Sequence, residues 1–339
     1  MVETTIRQKR YRFVVYAAVL SLALLSLFFI SVMIGSVWFS PETVVGVFFG
    51  TEGSSTITSI IMGYRVPRVL FALFTGLVLG ISGGVMQTLT RNPLADPYIT
   101  GLASGAALGA AVAFVMPGIP LYAIPIFAFA GGILMLMLVM FISRKAGSGP
   151  LNFILAGLAV GTVASAFLMI IITSASNASH GILYWLYGSF STSSWSDLWT
   201  AAFIATPFLI FMLLKSRDLN ILIFGEDHAK QLGINSHRLW VALLLSLSIA
   251  VSACVAFCGV IGFIGLVAPH IMRLLVGSDN RFVLPLSGMM GAILLIVSDD
   301  IVRSPLNPLF EMPVGSMTAL IGVPFFIYLL IKRGKNFDL

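Results

Sequence analysis

Apolar residues along the chain run in long charge-free blocks separated by short polar breaks. The blocks fall at about 14–37, 66–88, 98–116, 121–142, 151–173, 198–214, 239–258, 260–275, 283–298 and 314–331. Each predicts a helix of the length needed to cross a bilayer, roughly 20 residues. The block 260–275 is short and carries Gly262, Gly265 and Pro269, which predicts a broken or tilted helix. Block 14–37 follows Arg7, Lys9, Arg10 and Arg12, as in a secretory signal, but it is too long for one and ends without a small-residue cleavage site. It reads as a retained first helix.

Composition agrees with this reading. Of the 339 residues, 58% are hydrophobic and 9% charged, with a mean hydropathy of +1.03. Soluble domains carry about 25% charged residues. So few charges do not cover a water-facing surface, which excludes a cytosolic enzyme, a disordered tail protein and a DNA-binding module. The fold class is an all-α polytopic membrane protein with about ten spans. Its parts are a segment 1–13, one transmembrane domain 14–331 and a tail 332–339.

The basic residues give the spans a direction. With the N-terminus in the cytoplasm and ten alternating spans, 16 of the 19 Lys and Arg face the cytoplasm. Only Arg65, Arg68 and Arg303 lie outside. Such a split follows from the resistance of basic flanks to translocation and places both termini in the cytoplasm. Glycines four apart (Gly76, Gly80 and Gly84; Gly101, Gly105 and Gly109; Gly157 and Gly161) predict close helix packing within the chain. Cys254 and Cys258 share one face of an apolar helix, where thiols act as small hydrophobes.

Machinery for chemistry is sparse. His180, His228, His237 and His270 are scattered, and there is neither a phosphate-binding glycine loop nor a zinc-ligand spacing. Asp299, Asp300 and Glu311 sit at outer ends of spans and Asp96 at an inner end, whereas ion-coupled carriers bury carboxylates at mid-membrane. The chain is therefore not expected to be an enzyme, and no metal or cofactor is expected on it. Energy for transport is expected from a partner; a self-sufficient channel or secondary carrier is the alternative. The longest cytoplasmic loop, 215–238, carries both charge signs. Its centre, 225–233, predicts a short amphipathic helix closed by Gly233, with Leu222, Phe224, Ala229 and Leu232 as an apolar docking face.

Within that loop, Glu226, Ala229 and Gly233 resemble the Glu-Ala-x-x-x-Gly coupling loop by which permeases of binding-protein-dependent ABC importers grip their ATPase. Three further segments resemble the FecCD-type permeases for iron-siderophores, haem and vitamin B12. They are Arg65-Val-Pro-Arg68 through Met86-Gln87 to Arg91-Asn-Pro-Leu-Ala-Asp-Pro97; Gly259 through Pro269-His270 with Arg273; and Glu311-Met-Pro-Val-Gly315 with Gly322-Val-Pro-Phe-Phe326. The resemblance covers essentially the whole chain, in order.

It implies a type II ABC importer permease fold in the inner (cytoplasmic) membrane. It also implies a homodimer or a pairing with a close paralogue, two ATP-binding cassette subunits holding ATP and Mg, and an extracytoplasmic substrate-binding protein. No nucleic acid is implied. Arg65, Arg68 and Arg303 match outward arginines that pair with glutamates of the binding protein, as Arg suits bidentate carboxylate contacts. Asn92 and Leu94 match an inner gate. A second gate element maps onto Gly149, Pro150 and Leu151, which depart from the hydroxyl residues of the vitamin B12 member. Met86, Gln87, Ser165 and Met169 are candidates for the pathway wall. The expected cargo is a metal chelate: ferric siderophore, haem or a cobalamin-like macrocycle.

Overall fold

The computed structural model describes residues 2–51, 54–147, 149–175, 178–223, 226–304 and 312–334, and among them every regular element is helical. α1 (Val2–Met33) is followed by α2 (Pro41–Phe49), whose N-cap Ser40 accepts a hydrogen bond from Thr43 N. α3 (Ser55–Thr58) passes through a π-helical stretch, Ser59–Arg65, into α4 (Val66–Leu89). Then come α5 (Leu102–Val115), α6 (Ile124–Lys145), α7 (Pro150–Ser174), α8 (Ser179–Leu186) and α9 (Trp195–Leu214). α10 (Ser216–Ile223) and α11 (Glu226–Gln231) lie between α9 and α12 (Ser236–Cys258). α13 (Ile264–Val276), α14 (Asn280–Arg303) and α15 (Val314–Gly334) complete the order.

Each of the ten apolar blocks holds one of the long helices. Among the described residues, seven of these are long and apolar enough to cross a membrane, while Leu102–Val115, Ile264–Val276 and Val314–Ile327 are shorter. Sequence reading missed α2, α3 and α8, which lie in the breaks between blocks.

The core is built on α4, α12 and α14. In their most apolar stretches 78%, 72% and 61% of residues are buried, against 6% in α1. α4 and α14 run antiparallel. A Cβ at Gly76 would meet Gly291 and Ala292, one at Gly80 would meet Ser287, and Gly84 faces Leu284. Gly105 and Gly109 of α5 meet Gly131 and Phe127 of α6 in the same way. The four-residue glycine spacing therefore serves packing inside the chain: without side chains between them, helix backbones approach closely in lipid, where packing drives association. Cys254 and Cys258 are both buried in this core.

The predicted interruption near residue 260 is real and lies just ahead of α13. Gly259 has φ +73°, a left-handed value, and a Cβ there would overlap the carbonyl oxygen of Trp185. Non-helical backbone is tolerated at membrane depth only when the protein itself satisfies it. Here Ser189 N donates to Cys258 O at 2.8 Å, Gly315 N to Tyr187 O at 2.9 Å, and Ile261 N to the Tyr98 hydroxyl at 3.4 Å. The glycines of the 259–270 and 311–315 motifs thus meet at one joint; Glu311 lies outside the described residues.

Candidate coupling and gating site

Polar side chains gather at the two ends of the α4–α14 pair. At one end are the three arginines expected to take part in binding-protein docking. Arg65, Arg68 and Arg303 are buried and committed within the chain. Arg68 makes a bidentate contact with Asp299, with Nη2 to Oδ1 at 2.9 Å and Nε to Oδ2 at 3.0 Å. Arg303 donates to Asp300 at 2.5 Å and to Ser31. Arg65 donates to the carbonyls of Val32, Met33 and Val37 and lies over the Phe39 ring. The physical reason is local: a buried guanidinium has to be hydrogen-bonded, and among the described residues backbone carbonyls serve Arg65 while Asp299 and Asp300 serve Arg68 and Arg303. Their spacing of four and three residues from Arg303 is the signal that sequence reading passed over.

At the opposite end the coupling segment is tied to two core helices. The segment forms two helices, α10 and α11, rather than the single predicted one. Leu219, Leu222 and Ala229 face inward, whereas Leu232 is exposed; Phe224 and Gly225 lie outside the described residues. Gly233 has φ +76° and closes α11, with Ile234 N donating to Ala229 O at 2.9 Å. Glu226 opens α11.

Asn220 of α10 forms a two-point lock with the start of α14. Its Nδ2 donates to Asp279 Oδ1 at 2.7 Å, and its Oδ1 accepts from Asn280 N at 2.8 Å. Partial burial raises the Asp279 pKa, but hydrogen bonds from Arg281 and Asn220 outweigh it and hold the carboxyl below its usual range. Asp279 is therefore ionised at neutral pH and caps α14, accepting from Arg281 N. Arg273 of α13 joins the cluster, donating to Gly84 O and the Thr88 hydroxyl at 3.1 and 2.9 Å.

The second tie leads to the expected gate. Arg91 Nη2 donates to Leu222 O at 3.0 Å, joining α10 to the loop that follows α4. Arg91 has φ +50°, one of two non-glycine residues with positive φ among those described. The next residue, Asn92, accepts from Leu94 N at 3.0 Å through its side chain, forming a tight turn. Gly149 is the N-cap of α7, Pro150 opens that helix, and Leu151 is exposed. Gly149 and Pro150 share a cavity of about 250 Å³ with Arg91, Leu222, His237 and Trp240. The loop after α4, the start of α7 and the segment between α9 and α12 therefore meet around one cavity. No sequence pattern flagged Arg91 or Asn220 as the connectors.

The pathway candidates divide. Met86 is fully buried in the core, and Gln87, also buried, donates to Leu266 O of α13 at 3.1 Å, so neither lies on an exposed face of the chain. Ser165 and Met169 lie on the exposed face of α7. Among the described residues no cluster of His, Cys, Asp or Glu is arranged to hold a metal ion.

The FecCD transport family model matches residues 23–332. The chain belongs to the FecCD transport family. It is 36% identical to the Fe(3+)-citrate import system permease protein YfmE of Bacillus subtilis (strain 168), covering 97% of this chain and 98% of that protein. It is also 36% identical to the hemin transport system permease protein HmuU of Yersinia pestis, over 85% and 88% of the two chains. A solved inward-facing structure assigned to the metal-chelate type of ABC transporter superposes with a TM-score of 0.81 at 33% identity, covering 92% and 97%. Like its FecCD relatives, the chain is a multi-pass helical membrane protein, and the family is one of ABC permease subunits, transport components rather than enzymes.

Proposed function

We propose that the chain is the permease subunit of a binding-protein-dependent ABC importer that moves a metal chelate into the cytoplasm. The observation that carries this reading is the double tie of the coupling segment, through Asn220 to α14 and through Arg91 to the gate loop. ATP-driven closure of two partner ATPases pushes on the exposed surface of α11, and the push reaches the start of α14 and the turn at Asn92 together. The push couples only if partner contacts differ between the two states. Both termini are cytoplasmic in this reading, the membrane is the inner one, and two copies meet with the α7 face of Ser165 and Met169 toward a central pathway. Arg65, Arg68 and Arg303 hold the outer loops that form the binding protein's platform, acting through the backbone they fix. The cargo class, a ferric siderophore, haem or a cobalamin-like chelate, follows the relatives' named substrates and the resemblance above.

Reconstitution tests the reading. Chelate uptake into proteoliposomes is expected only with ATP, the ATPase and the binding protein all present. Uptake by the purified chain alone would assign it to channels or secondary carriers instead. In the full complex, Arg91→Ala is expected to lower transport per ATP hydrolysed about tenfold, within the usual range of coupling between two sites. ATPase binding is expected to stay intact; unchanged stoichiometry would remove Arg91 from the path. Replacing Gly233 with Val forces a branched side chain into a left-handed backbone. It is expected to loosen α11 and reduce ATPase pull-down several-fold, and a wild-type yield would count against the segment as the grip.

A further inference from the structure

The 250 Å³ cavity at the coupling end has an unbalanced chemistry. Arg91, Arg144 and His237 stand on its wall, and Arg144 Nη2 contacts His237 Nε2 at 3.2 Å. That contact brings no negative charge to the arginine. Among the described residues no carboxylate pairs with Arg91 or Arg144. Ser236 lines the same wall; it is 5% exposed, and its hydroxyl has no hydrogen-bond partner. The remaining lining is largely apolar, with Phe153 and Trp240 packed edge to face at 5.1 Å.

We propose that this cavity binds a phosphate-bearing amphiphile, an acidic phospholipid of the cytoplasmic leaflet. Its phosphate lies between Arg91, Arg144 and His237, while its first methylenes rest on Trp240. Anionic phosphate oxygens are the acceptors that the two guanidinium groups call for. Basic pockets between spanning helices on the cytoplasmic side suit such head groups, and aromatic side chains suit that depth of the bilayer. Volume also favours a head group. A cavity of about 250 Å³ has room for a head group but not for two acyl chains, so the tails extend out of its mouth. Only the choice of leaflet rests on the orientation proposed above; binding requires neither the ATPase nor transport.

The test uses the purified full chain. In native mass spectrometry from mixed phosphatidylglycerol and phosphatidylcholine, the chain is expected to retain phosphatidylglycerol about tenfold over its share of the mixture. The double variant Arg144→Gln, His237→Gln is expected to lose that preference. A second measurement needs no charge variant. Brominated phosphatidylglycerol is expected to quench wild-type tryptophan fluorescence more than brominated phosphatidylcholine, and Trp240→Phe is expected to remove the difference. If inorganic phosphate at millimolar concentration displaces the bound lipid, the site holds but takes the free anion as well. If the double variant keeps the preference, or both brominated lipids quench alike and phosphate binds nowhere, the proposal is overturned. Failed chelate uptake alongside intact lipid selection would sink the transport reading and leave this one standing.

Discussion

Arg68→Ala is expected to destabilise the chain by about 3–5 kcal/mol, because it leaves the Asp299 carboxylate buried without its main partner. Thermal unfolding of the detergent-purified chain measures it. Removing both charges as Arg68→Met with Asp299→Leu is expected to recover most of the loss, since a buried ion pair replaced by well-packed apolar groups is often neutral in stability. Arg68→Lys is expected to fall between, as it keeps the charge and loses the bidentate geometry. A single Ala variant that melts with the wild type would show that the pair carries no weight. The result also bears on docking experiments at the outer face. Charge reversal at Arg65, Arg68 or Arg303 disturbs the fold first, so loss of binding-protein docking counts only when measured per folded complex.

The other large effect is expected at Gly83. A Cβ on this residue would overlap the carbonyl of Gly265, and Gly265 is itself pressed between Pro97 and Leu79 O. Backbone faces backbone, so neither side yields by a rotamer change, and Gly83→Ala is expected to cost about 3 kcal/mol or more. Gly84→Ala is the control. Its nearest neighbour is Leu284 Cδ2 at 2.7 Å, the far end of a flexible side chain, so a small loss is expected. Recovery of monodisperse protein and its melting temperature distinguish the two. Equal behaviour of both variants would mean that α4 and α13 do not pack as closely as described.

The long helices were legible in the sequence because one physical quantity, the length of charge-free apolar runs, decides membrane insertion. The short helices were not. Ser40-Pro41 and Ser54 are readable as helix starts, but α2 and α3 fall in breaks between apolar blocks and are too short for a hydropathy run to reveal. The expected coupling segment was marked by Glu226, Ala229 and Gly233, but no local pattern marked the residues that anchor it. Asn220 and Asp279 stand 59 positions apart, and nothing local to either predicts that they meet. The same holds for Arg91 and Leu222, whose contact uses a backbone carbonyl that no side-chain pattern records. Of the three arginines at the other end, only Arg303 has acidic partners close in sequence; Arg68 meets Asp299 from 231 positions away, and Arg65 meets carbonyls 28 to 33 positions back.

The unequal burial of the helices sets how freely each part of the chain can change over generations. Almost any apolar residue serves on the surface of α1, so its sequence is free to drift so long as it stays greasy. On α4 and α14 a single methyl group at Gly76, Gly80 or Gly291 meets backbone, and a change on one helix requires an answering change on the other. Deep mutational scanning should therefore find a permissive rim around a nearly frozen pair. Distant relatives should align most securely through that pair, even where their outer helices have lost all resemblance.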